Sequence, residues 1–211
     1  EMKQLLKKVR TPRKQSLKIQ TAITLGVIFI GFALGILQKY IDGLPVNIFP
    51  QWIQTLDIRN YFGRLAIWIL LATVISVYSK SPLRASVNTF SFFISMLAGY
   101  YLYCNYVLGF LPKTYMMIWT AVSFMSLFMA YICWYAKGRG IIAIIISSVI
   151  IGVLFAQAFS LRGFYVYHIA ELVTWIVGII ILIRKPKELA LELGLSFAVA
   201  FLYQLFIPYF G

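Results

Sequence analysis

Seven apolar runs, each near the roughly 20 residues that an α-helix needs to cross a bilayer core, constrain this chain more than any other feature. They cover 19–37, 61–78, 85–110, 114–136, 141–160, 164–183 and 189–207. A chain of 211 residues that is 62% hydrophobic and only 12% charged holds more apolar side chain than a soluble domain can bury, since such domains run about 45–50% apolar and about 25% charged. The runs must face lipid. A β-barrel would need apolar and polar residues to alternate, whereas 141–146 and 176–183 are almost continuously apolar. The predicted fold is all-α, a polytopic transmembrane helical bundle of about seven spans. It forms one domain over 19–211, with an outer loop at 38–60 and a basic arm over 1–18 before it.

Orientation follows from the basic residues. A net charge of +13 would suggest nucleic acid in a soluble protein, but in a membrane protein Lys and Arg collect on the cytoplasmic side. With the N-terminus inside, Lys3, Lys7, Lys8, Arg10, Arg13, Lys14, Lys18, Lys80, Arg84, Lys137, Arg139, Arg184, Lys185 and Lys187 are cytoplasmic. Only Lys39, Arg59, Arg64, Lys113 and Arg162 fall outside. The expected topology is N-in and C-out, with Gly211 outside; a re-entrant sixth or seventh run would bring the C-terminus back in. No signal-peptide cleavage pattern follows the basic segment before Ile19. Cys104 and Cys133 are expected near opposite ends of their spans, too far apart for a disulfide.

Several features have packing explanations. Small residues recur four apart, as in Gly31 and Gly35, Ser91, Ser95 and Gly99, Ser148, Gly152 and Ala156, and Ala190, Gly194 and Ala198. Such stripes let helix backbones approach closely within a bundle or at a dimer interface. Tyr and Trp cluster near predicted span ends, where amphipathic rings sit at the headgroups. In the arm, Met2, Leu5, Leu6 and Val9 share one helical face among Lys3, Lys7, Lys8 and Arg10, an amphipathic basic helix stopped near Pro12. Anionic lipid is its expected partner, contacted by Lys7, Lys8 and Arg10, and at the inner span ends by Arg84, Lys137 and Arg139. In the outer loop, Pro50 starts a short helix carrying Trp52, Ile53 and Leu56, which would lie on the leaflet or cover the bundle mouth.

Ionisable groups inside spans are costly and mark functional sites by default. Glu171 is the clearest case, about seven residues inside its run and so on the order of 10 Å deep at 1.5 Å per residue. His168, the only histidine, lies three residues earlier on the same face. Asn105 and Gln157 fall at similar depth on neighbouring runs, with Tyr103 and Tyr106 close by. Together these six residues outline a substrate-binding cavity open to the outside. One His, one Glu and two distant Cys cannot furnish a zinc site, no catalytic motif is recognisable, and no cofactor is called for. The alternative is structural, with His168 or Arg162 satisfying Glu171. Glu192 lies at a helix start where the dipole favours an anion and Lys185 or Lys187 is near, and Asn88 is placed to hydrogen-bond between helices.

At Ser81-Pro82-Leu83-Arg84-Ala85-Ser86-Val87-Asn88, Lys113-Thr114-Tyr115-Met116-Met117-Ile118-Trp119 and Ile132-Cys133-Trp134-Tyr135-Ala136-Lys137-Gly138, the chain resembles a family of small multi-pass membrane proteins of Gram-positive bacteria with no assigned function. The resemblance spans mainly 61–140, implies a bacterial plasma membrane, and emphasises Arg84, Asn88, Lys113, Tyr115 and Trp119. Size and span number are also similar to the substrate-binding subunits of vitamin uptake transporters, an analogy of architecture alone. Three functions are thus expected in order: binding or transport of a small molecule, lipid or isoprenoid chemistry with Arg84, Lys137, Arg139 and Lys187 on phosphate, and a non-catalytic accessory subunit of a larger membrane complex.

Overall fold

Proline and serine set where helices begin in this computed structural model, which describes residues 2–207 and, within them, all side chains except those of Met2, Lys3, Leu5 and Val46. Pro82 and Pro186 occupy the first turns of their helices, where a missing N–H leaves nothing unsatisfied and φ is already helical. Ser81 caps the first of these, its Oγ accepting from the Arg84 N–H at 3.2 Å. The helices are α1 (Met2–Val9), α2 (Leu17–Asp42), α3 (Gln51–Thr55), α4 (Ile58–Tyr61), α5 (Leu65–Tyr78), α6 (Pro82–Tyr103), α7 (Lys113–Cys133), α8 (Ile141–Ala158), α9 (Ile169–Leu182) and α10 (Pro186–Phe206). Shorter 3₁₀ turns cover Val46–Ile48 and Trp134–Lys137, and a π-helical turn, Cys104–Leu108, ends α6. The regular structure among the described residues is otherwise one hairpin, β1 (Phe159–Ser160) paired antiparallel with β2 (Tyr165–Val166).

The fold is helical, and α2, α7 with its following turn, α8 and α10 are each long and apolar enough to cross a membrane. A fifth span results if the helices of Gln51–Tyr61 and Leu65–Tyr78, bent by 73° at the break between them, count as one. This is the architecture of a candidate multi-pass membrane protein. α6, at 22 residues, extends about 33 Å, whereas α9, at 14 residues, reaches only about 21 Å. The amphipathic arm does form a helix, α1; of its four apolar positions, Met2 and Leu5 have side chains outside the described set, and Val9 is buried. Gly211 likewise lies outside the described residues.

The chain forms two compact units. One comprises 1–10, 45–74 and 135–211. In it α8 and α10 run parallel: a Cβ on Gly152 would collide with the Ser196 carbonyl and Val199, and one to two turns further along both helices Gln157 Nε2 donates to the Tyr203 hydroxyl at 3.0 Å. The buried stripe of α10, Glu192, Ser196 and Ala200, repeats every fourth residue. Ala66 and Leu70 of α5 pack with Leu154 of α8 against Trp175 and Ile181 of α9. α1 joins this unit through Val9, whose carbonyl accepts from the Arg139 N–H at 2.8 Å and whose side chain covers Gly138.

The other unit comprises 11–44 and 75–134. α6 lies against both α2 and α7. A Cβ on Gly35 would meet the Met96 carbonyl, and one on Gly99 would meet the carbonyl of Phe32. The small residues here are backbone contact points inside one unit, as close packing without a hydrophobic effect requires. Asn88 ties the unit at its other end, donating to Ser79 Oγ at 3.3 Å and accepting from Thr24 Oγ1 at 2.8 Å. Tyr100 stacks on Tyr115, and the Lys39 ammonium sits 5.6 Å from the Tyr100 ring.

Two runs contain structure other than the continuous α-helix expected of them. The run at 164–183 does not begin as a helix, because Arg162 and Gly163 turn the chain into the hairpin and α9 cannot start until His168. The run at 85–110 ends its α-helix at Tyr103 and unwinds through the π turn.

Candidate functional site

Glu171 stands in the first turn of α9, not two turns deep, because the hairpin takes up the residues that a continuous helix would have used. Its side chain is 1% exposed and its partner is Arg64, itself 5% exposed. Arg64 sits at the break between α4 and α5. Its Nε donates to Glu171 Oε1, its Nη2 to Glu171 Oε2 at 3.4 Å, and its Nη1 to Asp57 Oδ2 at 2.6 Å. One guanidinium therefore serves both oxygens of one carboxylate and one oxygen of another, the fork geometry that makes Arg suited to carboxylates. Asp57 adopts a left-handed backbone conformation, φ 51°, which Asp tolerates better than most residues. Its carboxylate also accepts from Asn60 Nδ2 at 2.8 Å. Tyr61 and Thr174 share a hydrogen bond of 2.5 Å between their hydroxyls, joining α4 to α9 beside this network.

His168 precedes α9, and its Nδ1 approaches Asp57 Oδ2 at 3.9 Å rather than Glu171. Gln157 pairs with Tyr203. Tyr103, Asn105 and Tyr106 belong to the other unit, Tyr103 partly exposed and the other two exposed. So Glu171, His168 and Gln157 lie in one unit, with His168 linked to Glu171 through Asp57 and Arg64 in turn. The cation that neutralises Glu171 is neither His168 nor Arg162. Among the described residues, no three His, Cys, Asp or Glu side chains gather as a metal ion would need. Both cysteines are free thiols.

Of the basic residues expected to meet lipid, Lys7, Lys8, Lys137 and Arg139 are exposed and Arg10 partly so. Arg84 turns inward instead: its Nη2 donates to the Gln20 carbonyl at 2.8 Å and to Thr24 Oγ1, and it approaches Asn88 Oδ1 at 3.4 Å.

A feature with no counterpart in the sequence reading is a cavity of about 230 Å³ in the first unit, lined by Ala156, Ser160, Arg162, Tyr167, Tyr203, Gln204 and Ile207. Its walls are held by Gln204, which accepts from the Leu161 N–H at 2.9 Å and donates to the carbonyls of Phe159 at 2.6 Å and Ala156 at 3.1 Å. That fixes the hairpin on the end of α10. Gln157 donates to the Tyr203 oxygen, so the Tyr203 O–H is left to donate; the Ser160 oxygen accepts from the Gly163 N–H at 3.2 Å and keeps its proton too. Arg162 is exposed. The lining thus offers one cation, the hydroxyls of Ser160, Tyr167 and Tyr203, and no carboxylate. The signal was present in sequence as Arg162-Gly163 followed by the strand formers Tyr165, Val166 and Tyr167, which argue for a hairpin.

No protein-family model, no curated protein and no solved structure matches this chain.

Proposed function

We propose that the protein spans a bacterial plasma membrane seven times, N-terminus in the cytoplasm, and binds a small anionic solute from outside in the cavity at Arg162. The observation that carries the reading is the polar set: a guanidinium and three hydroxyl side chains around about 230 Å³ with no acid among the lining residues. Ligand pockets run roughly 300–1,000 Å³, so this one suits a solute of a few carbons or an inorganic oxyanion. Glu171 supports the reading by its pairing. With both oxygens on Arg64 it has no charge free for a cationic ligand, and it serves to hold α9 and the hairpin wall in place.

Topology rests on charge and on helix direction. In the first unit α8 and α10 run parallel and α9, packed on α8, returns in the opposite direction, so one end collects Arg59, Arg64 and Arg162 and the other Lys137, Arg139, Arg184, Lys185 and Lys187. The richer end faces the cytoplasm by the positive-inside rule, and the cavity opens on the opposite side. α6 and α9 complete seven spans, α6 sheltered by its neighbours and so free to be more polar.

Thermal unfolding of purified protein against a panel of small carboxylates, inorganic phosphate and small amines tests this. Protection by one anion class, lost in Arg162→Ala and weakened in Tyr203→Phe, is expected. Protection by amines alone, or an undiminished response of Arg162→Ala, would refute it. Impermeant thiol reagents should label a cysteine at 162 in whole cells and leave one at 139 untouched; the reverse would overturn the orientation.

A further inference from the structure

Glu192 is as buried as Glu171, with 0% of its side chain exposed, yet its bonding is poor. Oε1 meets Arg184 Nε at 3.4 Å, the outer limit of a hydrogen bond, and Oε2 has no hydrogen-bond partner. The Arg184 guanidinium is held elsewhere: Nη1 donates to the Gly138 carbonyl at 3.0 Å, and Nη2 donates to the Ala136 carbonyl. A buried carboxylate is stable as an anion only when paired and well hydrogen-bonded. Glu171 meets that condition and Glu192 does not.

On α8, Ser148 Oγ is also buried and without a partner. Ser148 lies one turn before Gly152, which abuts Ser196, and Glu192 lies one turn before Ser196, so Ser148 and Glu192 share one level of the parallel α8 and α10 pair. Ser147, also beside the carboxyl, already donates to the Ala143 and Ile144 carbonyls. The charged groups acting on Glu192 are Arg184 and, beyond it, Glu188, whose Oε2 is 3.9 Å from Arg184 Nη1. α9 offers no ionisable residue between Val173 and Leu182.

We propose that Glu192 is a proton-binding site inside the helix bundle: a proton from water adds to Oε2, the neutral carboxyl donates a hydrogen bond through that O–H to Ser148 Oγ, and Arg184 stays on the backbone carbonyls. Loss of that proton to water restores the anion, which draws Arg184 off Ala136 and Gly138. Those carbonyls belong to the connection that seats α1, through Gly138 on Val9 and the Arg139 N–H on the Val9 carbonyl. The proton thus decides how firmly the basic arm is held, and it binds at the opposite end of α8 and α10 from the solute cavity, independently of it.

Infrared difference spectra of the whole protein in lipid, recorded between acid and alkaline buffer, test the proposal. Wild type is expected to show a protonated-carboxyl band that disappears on alkalinisation, is absent in Glu192→Gln, and remains in Glu188→Gln. Glu192→Asp, which keeps the acid, should shift the band rather than remove it, and Ser148→Ala should move it to the frequency of a carboxyl without an acceptor. Trypsin cleavage at Lys7 and Lys8 should quicken on alkalinisation several-fold more in wild type than in Glu192→Gln. A wild-type band that survives in Glu192→Gln, or no such band at any pH where the protein stays folded, overturns it.

Discussion

Replacing Arg64 by leucine should be among the most damaging single substitutions in the first unit, and the size of the effect follows from what it leaves behind. Glu171 would remain at 1% exposure with both oxygens stripped of their donor. Breaking a buried pair by removing one partner costs about 3–5 kcal/mol. Removing the other partner is milder, because in Glu171→Leu the guanidinium keeps Asp57 at 2.6 Å; a lost hydrogen bond to a charged group costs about 1.5–3 kcal/mol. The double variant Arg64→Leu with Glu171→Leu removes both buried charges. It should recover most of the loss, since well-packed apolar replacements of a buried pair are often neutral or stabilising by about 1–4 kcal/mol. Asp57, 28% exposed, can turn to water. The assay is reversible unfolding in mixed micelles by denaturing detergent, followed by Trp fluorescence, on the wild type, both single variants and the double. An Arg64→Leu cost below about 1 kcal/mol, the range of exposed pairs, or a double variant no better than Arg64→Leu, would refute the view of Glu171 as a locked ion pair.

Other substitutions probe the packing. Gly99→Ala and Gly35→Ala should each cost about 1–3 kcal/mol by overpacking in the same unfolding assay, since the new methyl would run into a backbone carbonyl across the α2 and α6 contact. Gly26→Ala, with nothing within 4 Å, should be neutral or slightly stabilising. Ser81→Ala removes the cap of α6 and should cost about 1 kcal/mol, whereas Ser81→Asn should not. Val9→Asp should expose the arm, seen as cleavage at Lys7 and Lys8 by trypsin roughly tenfold faster or more, because burial of a Val side chain is worth about 1.5–3 kcal/mol.

Helix positions were largely legible because apolar length and punctuation act locally. The run at 141–160 became α8, Ile141–Ala158, and that at 114–136 became α7 with its closing turn; the last run was lengthened by Pro186 to a start three residues earlier. The hairpin was hidden because hydropathy does not distinguish a short apolar strand from a helix turn, and the depth assigned to Glu171 assumed a helix that was not there. Its partner was hidden for a different reason. Arg64 reads as a loop cation, and only the tertiary fold brings it to a residue 107 positions away. In the same way Glu192, expected near Lys185 or Lys187, meets Arg184, whose long side chain reaches back from before the helix start. What could have been read is the shared direction of α8 and α10, since a single returning run, 164–183, separates them in the sequence.

The 107-residue separation of Arg64 from Glu171 has a consequence for biogenesis. At a synthesis rate of about 5–20 residues per second, Glu171 leaves the ribosome about 5–20 s after Arg64. Throughout that interval the arginine must wait without its main counterion, with only Asp57 on hand. Its position at the break between α4 and α5, rather than within a helix, leaves it at a joint of the chain during that interval. The first unit, assembled from segments distant in the chain, then closes only after α9 has been made, making that late helix the clasp of an early one.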